Sequence, residues 1–225
     1  MPIRPIKKNI VFQYKYLIFV IMKVIFLDHD GVICLAPNWG SRFKKEKKLM
    51  RGKDTPEYLS SSFHETLKPV DVRFDNFDKK AIEVLNEILK ETDAEIVVSS
   101  DWKRFATVEE MGEYYESQGI IKKPIAFTDS ITSKNYDNFP WEYRMELEQT
   151  RSLEIAEYLT NYQSITEWVA IDDLNMSLRR KEDGEYSWGL NNFVLTPSSN
   201  EGIKQSGIKE KIIKFLTKKP YEKTT

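Results

Sequence analysis

Cysteine is almost absent from this chain: Cys34 stands alone in 225 residues. An internal disulfide framework is thereby excluded, and a reducing cytosol is the expected compartment. Cys34 follows closely on two aspartates. No histidine partner or cysteine-enzyme motif accompanies it, so it reads as a small buried hydrophobe rather than a nucleophile. An excess of one charge is lacking too. Lys and Arg total 34 against 35 for Asp and Glu, so no global field marks the chain as a nucleic-acid or membrane binder. A long apolar run is also missing. The nearest approach, residues 10–21, is short for a membrane span and is interrupted by Gln13 and Lys15. With Arg4, Lys7 and Lys8 ahead of it, this segment mimics a signal peptide, yet no small-residue cleavage site follows. The first reading of residues 1–21 is an extension upstream of a natural start at Met22. A membrane tether is the second, and an extra strand or helix packed on the domain is a third. No stable membrane association is expected, and nothing in the sequence points to a protein partner.

What is present is concentrated at Lys23-Val24-Ile25-Phe26-Leu27-Asp28-His29-Asp30-Gly31-Val32. Residues 24–27 read as a buried strand, being short, continuous and rich in β-branched and large apolar side chains. Gly31 permits a tight turn at its end. In an open α/β sheet, ligands sit just beyond the carboxyl ends of the strands, which is where Asp28 and Asp30 fall. Two carboxylates this close repel unless a proton or a cation holds them, and a hard ion such as Mg²⁺ is the natural partner. Calcium loops and plain solvated turns use the same spacing, so the rest of the chain must decide.

The length suits one domain, residues 22–219, with an insertion at about 36–74 and a tail at 220–225. The insertion carries a basic run, 42–53, near Trp39 and Phe43. It reads either as a flap that approaches a phosphorylated substrate or as a solvated helix face, the usual fate of a charge run. His64, in the same insertion, carries little signal. Phe77, Ala81, Leu85, Ile88 and Leu89 recur at helical spacing, and Asp75, Asn76 or Asp78 can cap that helix. Residues 95–98 are a second core strand, ending at Ser99-Ser100-Asp101-Trp102-Lys103-Arg104. A helix over 107–117, a strand at 123–128, a helix from about Glu148 to Asn161, strands at 167–171 and 192–196, and a basic amphipathic helix at 205–217 complete the alternation. Asp172-Asp173 follows the fourth strand. Trp102 reads as core packing, with a base-stacking platform as the alternative.

In this order, Asp28-x-Asp30-Gly31-Val32, Ser99 after a second strand and Asp172-Asp173 after a later one resemble the motifs of the haloacid dehalogenase (HAD) superfamily. The narrower pattern resembles the HAD domains grouped with Swiss Army Knife RNA repair proteins. It runs through Phe77-Asp78, Leu85-Asn86, Ser99-Ser100-x-Trp102-Lys103, Arg151, Glu154-Ile155, Trp168 to Asp173 and Gly202. It is similar, more loosely, to the phosphatase half of polynucleotide kinase-phosphatases. No P-loop pattern is present, so a kinase or ligase half is not expected. His29 departs from the small or apolar residue common between the two aspartates, and the long basic insertion is a second departure.

The resemblance implies a three-layer α/β, Rossmann-like fold with a mainly parallel sheet, and a cap at the position of the insertion. It implies that Asp28 is the nucleophile and Asp30 the acid/base, and that Ser99 holds the phosphoryl oxygens, with Ser100 and Lys103 as further substrate contacts. A fixed cation must offset charge on the transferred group. Arg151 has the expected place near the start of a helix, with Lys134 as competitor; arginine where lysine is usual is a further departure. Asp28, the Asp30 carbonyl, Asp172 and Asp173 would hold Mg²⁺. The expected function is a phosphomonoester hydrolase working through an aspartyl-phosphate, with RNA or DNA ends or nucleotides as substrates. A small metabolite phosphate is the alternative within the enzyme class, and a non-catalytic binding module the alternative outside it.

Overall fold

The computed structural model describes residues 22–51, 68–131, 147–177 and 189–217. The segment 1–21, the lower part of the basic run, His64, Lys134 and the tail lie outside the described residues. Strand β1 is Met22–Leu27, and the insertion contributes helix α1 (Ser41–Met50) and the short α2 (Val70–Arg73). Then come α3 (Lys79–Thr92), β2 (Glu95–Val98), α4 (Val108–Gln118), β3 (Pro124–Phe127) and α5 (Leu147–Asn161). Strands β4 (Ile165–Asp172) and β5 (Phe193–Leu195) and helix α6 (Ile208–Leu216) follow.

The strands form one five-stranded parallel sheet in the order β3-β2-β1-β4-β5. The chain runs outward from β1 through β2 and β3, then crosses to β4 and β5 on the other side. The order therefore reverses beside β1, and a crevice opens at the carboxyl ends of β1 and β4.

Alternation along the strands builds both faces. Ile25 and Leu27, with Ile96, Val98, Val169 and Ile171, pack under α3, α4 and α6. Val24 and Phe26, with Val97 and Ala170, pack against Ile155 and Tyr158 of α5. Helices thus cover both faces of an α/β sheet, and the buried stretches of the central strands, 24–27, 96–98 and 169–171, are apolar because neither face meets water there. Ile25, Leu27, Leu85 and Ile88 are wholly enclosed, so truncating any of these to alanine costs about 2–5 kcal/mol.

Capping selects among the three candidates that the sequence offers. Asp78 caps α3, accepting from Ala81 N at 2.9 Å. Asp75 serves the insertion instead: its Oδ1 accepts from Arg42 N at 2.7 Å and from Ser41 Oγ at 3.3 Å, at the start of α1. Phe77 precedes α3 rather than lying within it, and joins an aromatic cluster. Arg73 makes paired bonds of 2.8 and 3.0 Å to Glu110, tying α2 to the first turn of α4.

Candidate active site

Register brings the acidic residues together. Leu27 of β1 pairs with Val98 of β2 and with Ile171 of β4, so the next residues, Asp28, Ser99 and Asp172, leave adjacent strands at the same level. Two further ladder bonds fix that level, from Asp28 N to Ile171 O at 3.1 Å and from Ser99 N to Leu27 O at 2.9 Å. Oxygen atoms of Asp28, Asp172 and Asp173 lie within 4.8 Å of one another. Gly31, at φ 69°, turns the chain beneath them, where a Cβ would overlap the Asp173 carboxylate. Only glycine combines that φ with so close an approach.

Arg151 enters this group from α5. Its Nη1 donates to Asp172 Oδ2 at 2.9 Å and lies 3.2 Å from Asp28 Oδ1, while Nη2 lies 3.5 Å from Asp101. Lys134 lies outside the described residues. Burial works against the guanidinium's charge, but Asp28 and Asp172 outweigh it and hold its pKa above the ordinary value. On the acidic side burial dominates. It raises Asp28 well above the usual carboxylate range, helped by Asp172 and opposed by Arg151. Burial likewise lifts Asp172 to about 6, and raises Asp173.

Three carboxylates and one guanidinium leave two negative charges uncompensated in a buried site when all are ionised. Protons or a divalent cation must make up the difference. All-oxygen donors that converge, two of them buried and Asp173 half-buried, suit a hard ion, so these residues fit Mg²⁺. The Asp30 carboxyl is not among this group.

Ser99 Oγ is buried and has no hydrogen-bond partner among the described residues. A hydroxyl left unsatisfied inside a protein costs about 1–3 kcal/mol, so one at a strand end facing an acidic cluster calls for a ligand. Ser100 caps the 3₁₀ turn Asp101–Phe105, accepting from Trp102 N, and its side chain also reaches Asp28. Lys103 is buried and committed elsewhere. Its Nζ donates to Glu154 Oε2 at 2.6 Å and to Thr128 Oγ1 at 3.0 Å. Glu154 also accepts from Ile131 N at 3.1 Å, so Lys103 braces the chain after β3.

The period of two continues past the end of β1. Asp28 turns toward α5, and His29 turns toward α4. His29 is fully enclosed, and its Nε2 shares a 2.7 Å hydrogen bond with the Tyr115 hydroxyl. Its ring lies 4.7 Å from Trp102 and 5.4 Å from Phe77, centroid to centroid. Burial, aided by Arg151, lowers its pKa to about 3, so it is neutral. Asp30 stands at the boundary, its Oδ2 accepting from the Trp102 indole N–H at 2.8 Å. Trp102 itself is stacked on Phe74 and Phe77 and nearly buried, which leaves it no face for a nucleic-acid base.

The sequence reading missed His29, Tyr115, Asp101 and Glu154 as parts of the site. None carries a local signature, since each contributes through a partner distant in sequence. Only the unusual histidine between the aspartates was visible as a departure.

A family model for the HAD domain in Swiss Army Knife RNA repair proteins matches residues 24–207. The chain belongs to that family. It is therefore a HAD-type phosphatase, and the match runs from β1 to the threshold of α6, taking in every strand end described above. No match was found among curated proteins or among solved structures. No helix of the described residues is long and apolar enough to cross a membrane.

Proposed function

We propose that this HAD-type phosphatase is a Mg²⁺-dependent phosphomonoesterase that works through an aspartyl-phosphate on Asp28 and acts on nucleic-acid ends or nucleotides. The observation that carries the chemistry is the Ser99 hydroxyl, without a partner among the described residues, at the strand end next to Asp28, which the Arg151 guanidinium contacts. A phosphoryl group there meets a nucleophile, a neutral donor and a fixed cation at once.

An oxygen of Asp28 attacks phosphorus and the bond to the leaving oxygen breaks, while Asp30 gives that oxygen its proton. Water then attacks the phosphorus of the aspartyl-phosphate and passes a proton to Asp30, releasing phosphate and restoring Asp28. Ser99 and Arg151 hold the equatorial oxygens through both steps. Asp28, Asp172, Asp173 and the Asp30 carbonyl would hold Mg²⁺, which when bound supplies charge neutralisation for the transferred group.

The substrate reading rests on α1. Lys44, Lys47 and Lys48 are exposed, as is Phe43, with the Arg42 guanidinium 4.9 Å from its ring centroid. Arg42 is also close enough to Asp30 for their charges to interact. Cations and open aromatic faces together suit a polyanion with bases. Lys45 is excluded from that surface, since its ammonium donates to Asp71 and to the Tyr114 hydroxyl. A cytoplasmic location belongs to the same proposal and is supported by the free, buried Cys34.

The test is a phosphate-release screen over 3′- and 5′-phosphorylated oligonucleotides, mononucleotides, sugar phosphates and an aryl phosphate, with and without Mg²⁺. Asp28→Asn should lower turnover of every substrate by at least about a thousandfold; an active Asp28→Asn protein rejects the mechanism. Replacing Lys44, Lys47 and Lys48 by glutamine should weaken oligonucleotide turnover and flatten its salt dependence, leaving the aryl phosphate unchanged. Preference for a sugar phosphate would reject the nucleic-acid reading alone.

A further inference from the structure

Trp102 is nearly buried, yet its only polar atom is spent on Asp30 rather than on the backbone or solvent. The indole plane is set by stacking on both sides of its neighbourhood: 4.8 Å from Phe74 at an interplanar angle of 10°, and 5.4 Å from Phe77 at 15°. His29 lies against it at 4.7 Å and is itself anchored by Tyr115. The 3₁₀ turn that carries Trp102 begins at Ser100, directly after Ser99. An aromatic ring fixed this tightly cannot follow a moving carboxyl; the carboxyl must adapt to the ring.

We infer that Trp102 is a positioning residue for proton transfer: its indole N–H holds Oδ2 of Asp30, with the Cys34 thiol as a second side-chain partner, and so fixes the carboxyl that exchanges a proton with the leaving group. A carboxyl on a turn after a strand otherwise rotates between rotamers, and a general acid works only within hydrogen-bond reach of the atom it protonates. The donor also distinguishes the two oxygens. An N–H can bond an oxygen lone pair but cannot share an oxygen that already points its own proton at the same place, so the proton is directed away from the side that Trp102 holds. The surrounding contacts serve the same end from the opposite side of the turn. Gly31 N donates to Cys34 O at 2.9 Å, Cys34 N donates to His29 O at 2.8 Å, and Thr196 Oγ1 donates to Gly31 O at 3.2 Å. The turn that carries Asp30 and the Asp30 side chain are therefore held from different places, Thr196 just past β5 for the first and the turn after β2 for the second.

This inference rests on Asp30 as the acid, and its test separates the two ideas. Trp102→Phe keeps a ring to stack on Phe74 and Phe77 and removes only the donor. The measurement is kcat/KM, which reports the first chemical step, for an alkyl phosphate such as glycerol phosphate and for 2,4-dinitrophenyl phosphate, whose leaving oxygen departs without a proton. Trp102→Phe should lower the alkyl value about ten- to a hundredfold and the dinitrophenyl value less than about threefold. Asp30→Asn should show the same selectivity, more strongly. If Asp30→Asn distinguishes the two leaving groups and Trp102→Phe lowers both equally, or neither, the role of Trp102 is rejected while Asp30 stands. If Asp30→Asn itself does not distinguish them, the assignment of Asp30 falls and the inference falls with it. Should Trp102→Phe fail to fold, benzothienylalanine at position 102, in which sulfur replaces the N–H in a ring of the same size, gives the same contrast.

Discussion

Asp28 and His29 are neighbours in sequence, and their side chains enter opposite surroundings. Asp28 meets Arg151, Asp172 and Asp173, a group held by ion pairs between β1, β4 and α5. His29 meets Phe77, Trp102 and Tyr115, a group held by ring contacts between β1, α4 and the turn after β2. In the first half, charges are desolvated and only partly compensated, one guanidinium standing against three carboxylates. In the second, a titratable ring is kept neutral by burial. The first half can receive a phosphoryl group because it retains unspent donors and acceptors. The second packs ring against ring, with His29 Nδ1 enclosed and without a hydrogen-bond partner among the described residues, which makes it a wall rather than a receptor for charge. The difference shows how one strand end serves two purposes: alternation separates binding of charge from positioning of the proton donor.

Removing Arg151 breaks the charged half. Arg151→Ala should lower kcat by about a hundredfold or more through loss of a fixed cation, with Arg151→Lys in between because lysine offers charge without the second nitrogen that reaches Asp101 while the first lies between Asp28 and Asp172. Steady-state kinetics on an aryl phosphate measure this, and equal activity of the alanine and lysine variants would contradict a role for the charge between Asp28 and Asp172.

Tyr115→Phe tests the aromatic half. It leaves His29 Nε2 without its partner in an enclosed space and should cost about 1–3 kcal/mol of stability, read from urea unfolding. The nucleophile is untouched, so kcat on the aryl phosphate should fall far less than with Arg151→Ala. A comparable fall would show that the two halves are not separable.

The smallest effect is a thermal shift. Folded-state pKa values of Asp28, Asp172 and Asp173 are raised, so their contribution to stability is present at low pH and is lost as pH rises through them, about 6 for Asp172. Mg²⁺ needs the ionised carboxylates and offsets that loss. The Mg²⁺-induced rise in Tm should therefore be a few degrees at pH 7.5 and close to zero at pH 5. Comparing samples with and without Mg²⁺ at each pH cancels His29, whose lowered pKa costs stability in the other direction, as pH falls below its ordinary 6.5. Equal shifts at both pH values would contradict metal binding by these carboxylates.

Much of the sheet was legible because buried parallel strands are short apolar runs. β1, β2 and β4 stand within a residue or two of where the apolar pattern puts them. The order Asp28, Ser99, Asp172 along the chain was enough to expect them side by side, since parallel strands in one sheet align their carboxyl ends. Lys103 was the opposite case. A basic residue after a strand was read as reaching for substrate, whereas Glu154 takes its charge. That partner lies on α5, and no local pattern announces it. Asp75, Asn76 and Asp78 were equal candidates for the cap of the helix that follows them; Asp78 takes that place, and Asp75 accepts from Arg42 N at the start of α1.

The sequence alone determined the period and order of the elements, the carboxylates at the strand ends and the glycine that turns the chain beneath them. These depend on local sterics and on the burial of alternating side chains, both of which are written residue by residue. The tertiary structure decided which cation lies between Asp28 and Asp172, which of the neighbouring acids caps which helix, and that Trp102 holds Asp30 while His29 remains neutral. Those outcomes depend on distances between residues far apart in the chain and on the loss of water around them, and both come into being only when the sheet and its helices close on one another.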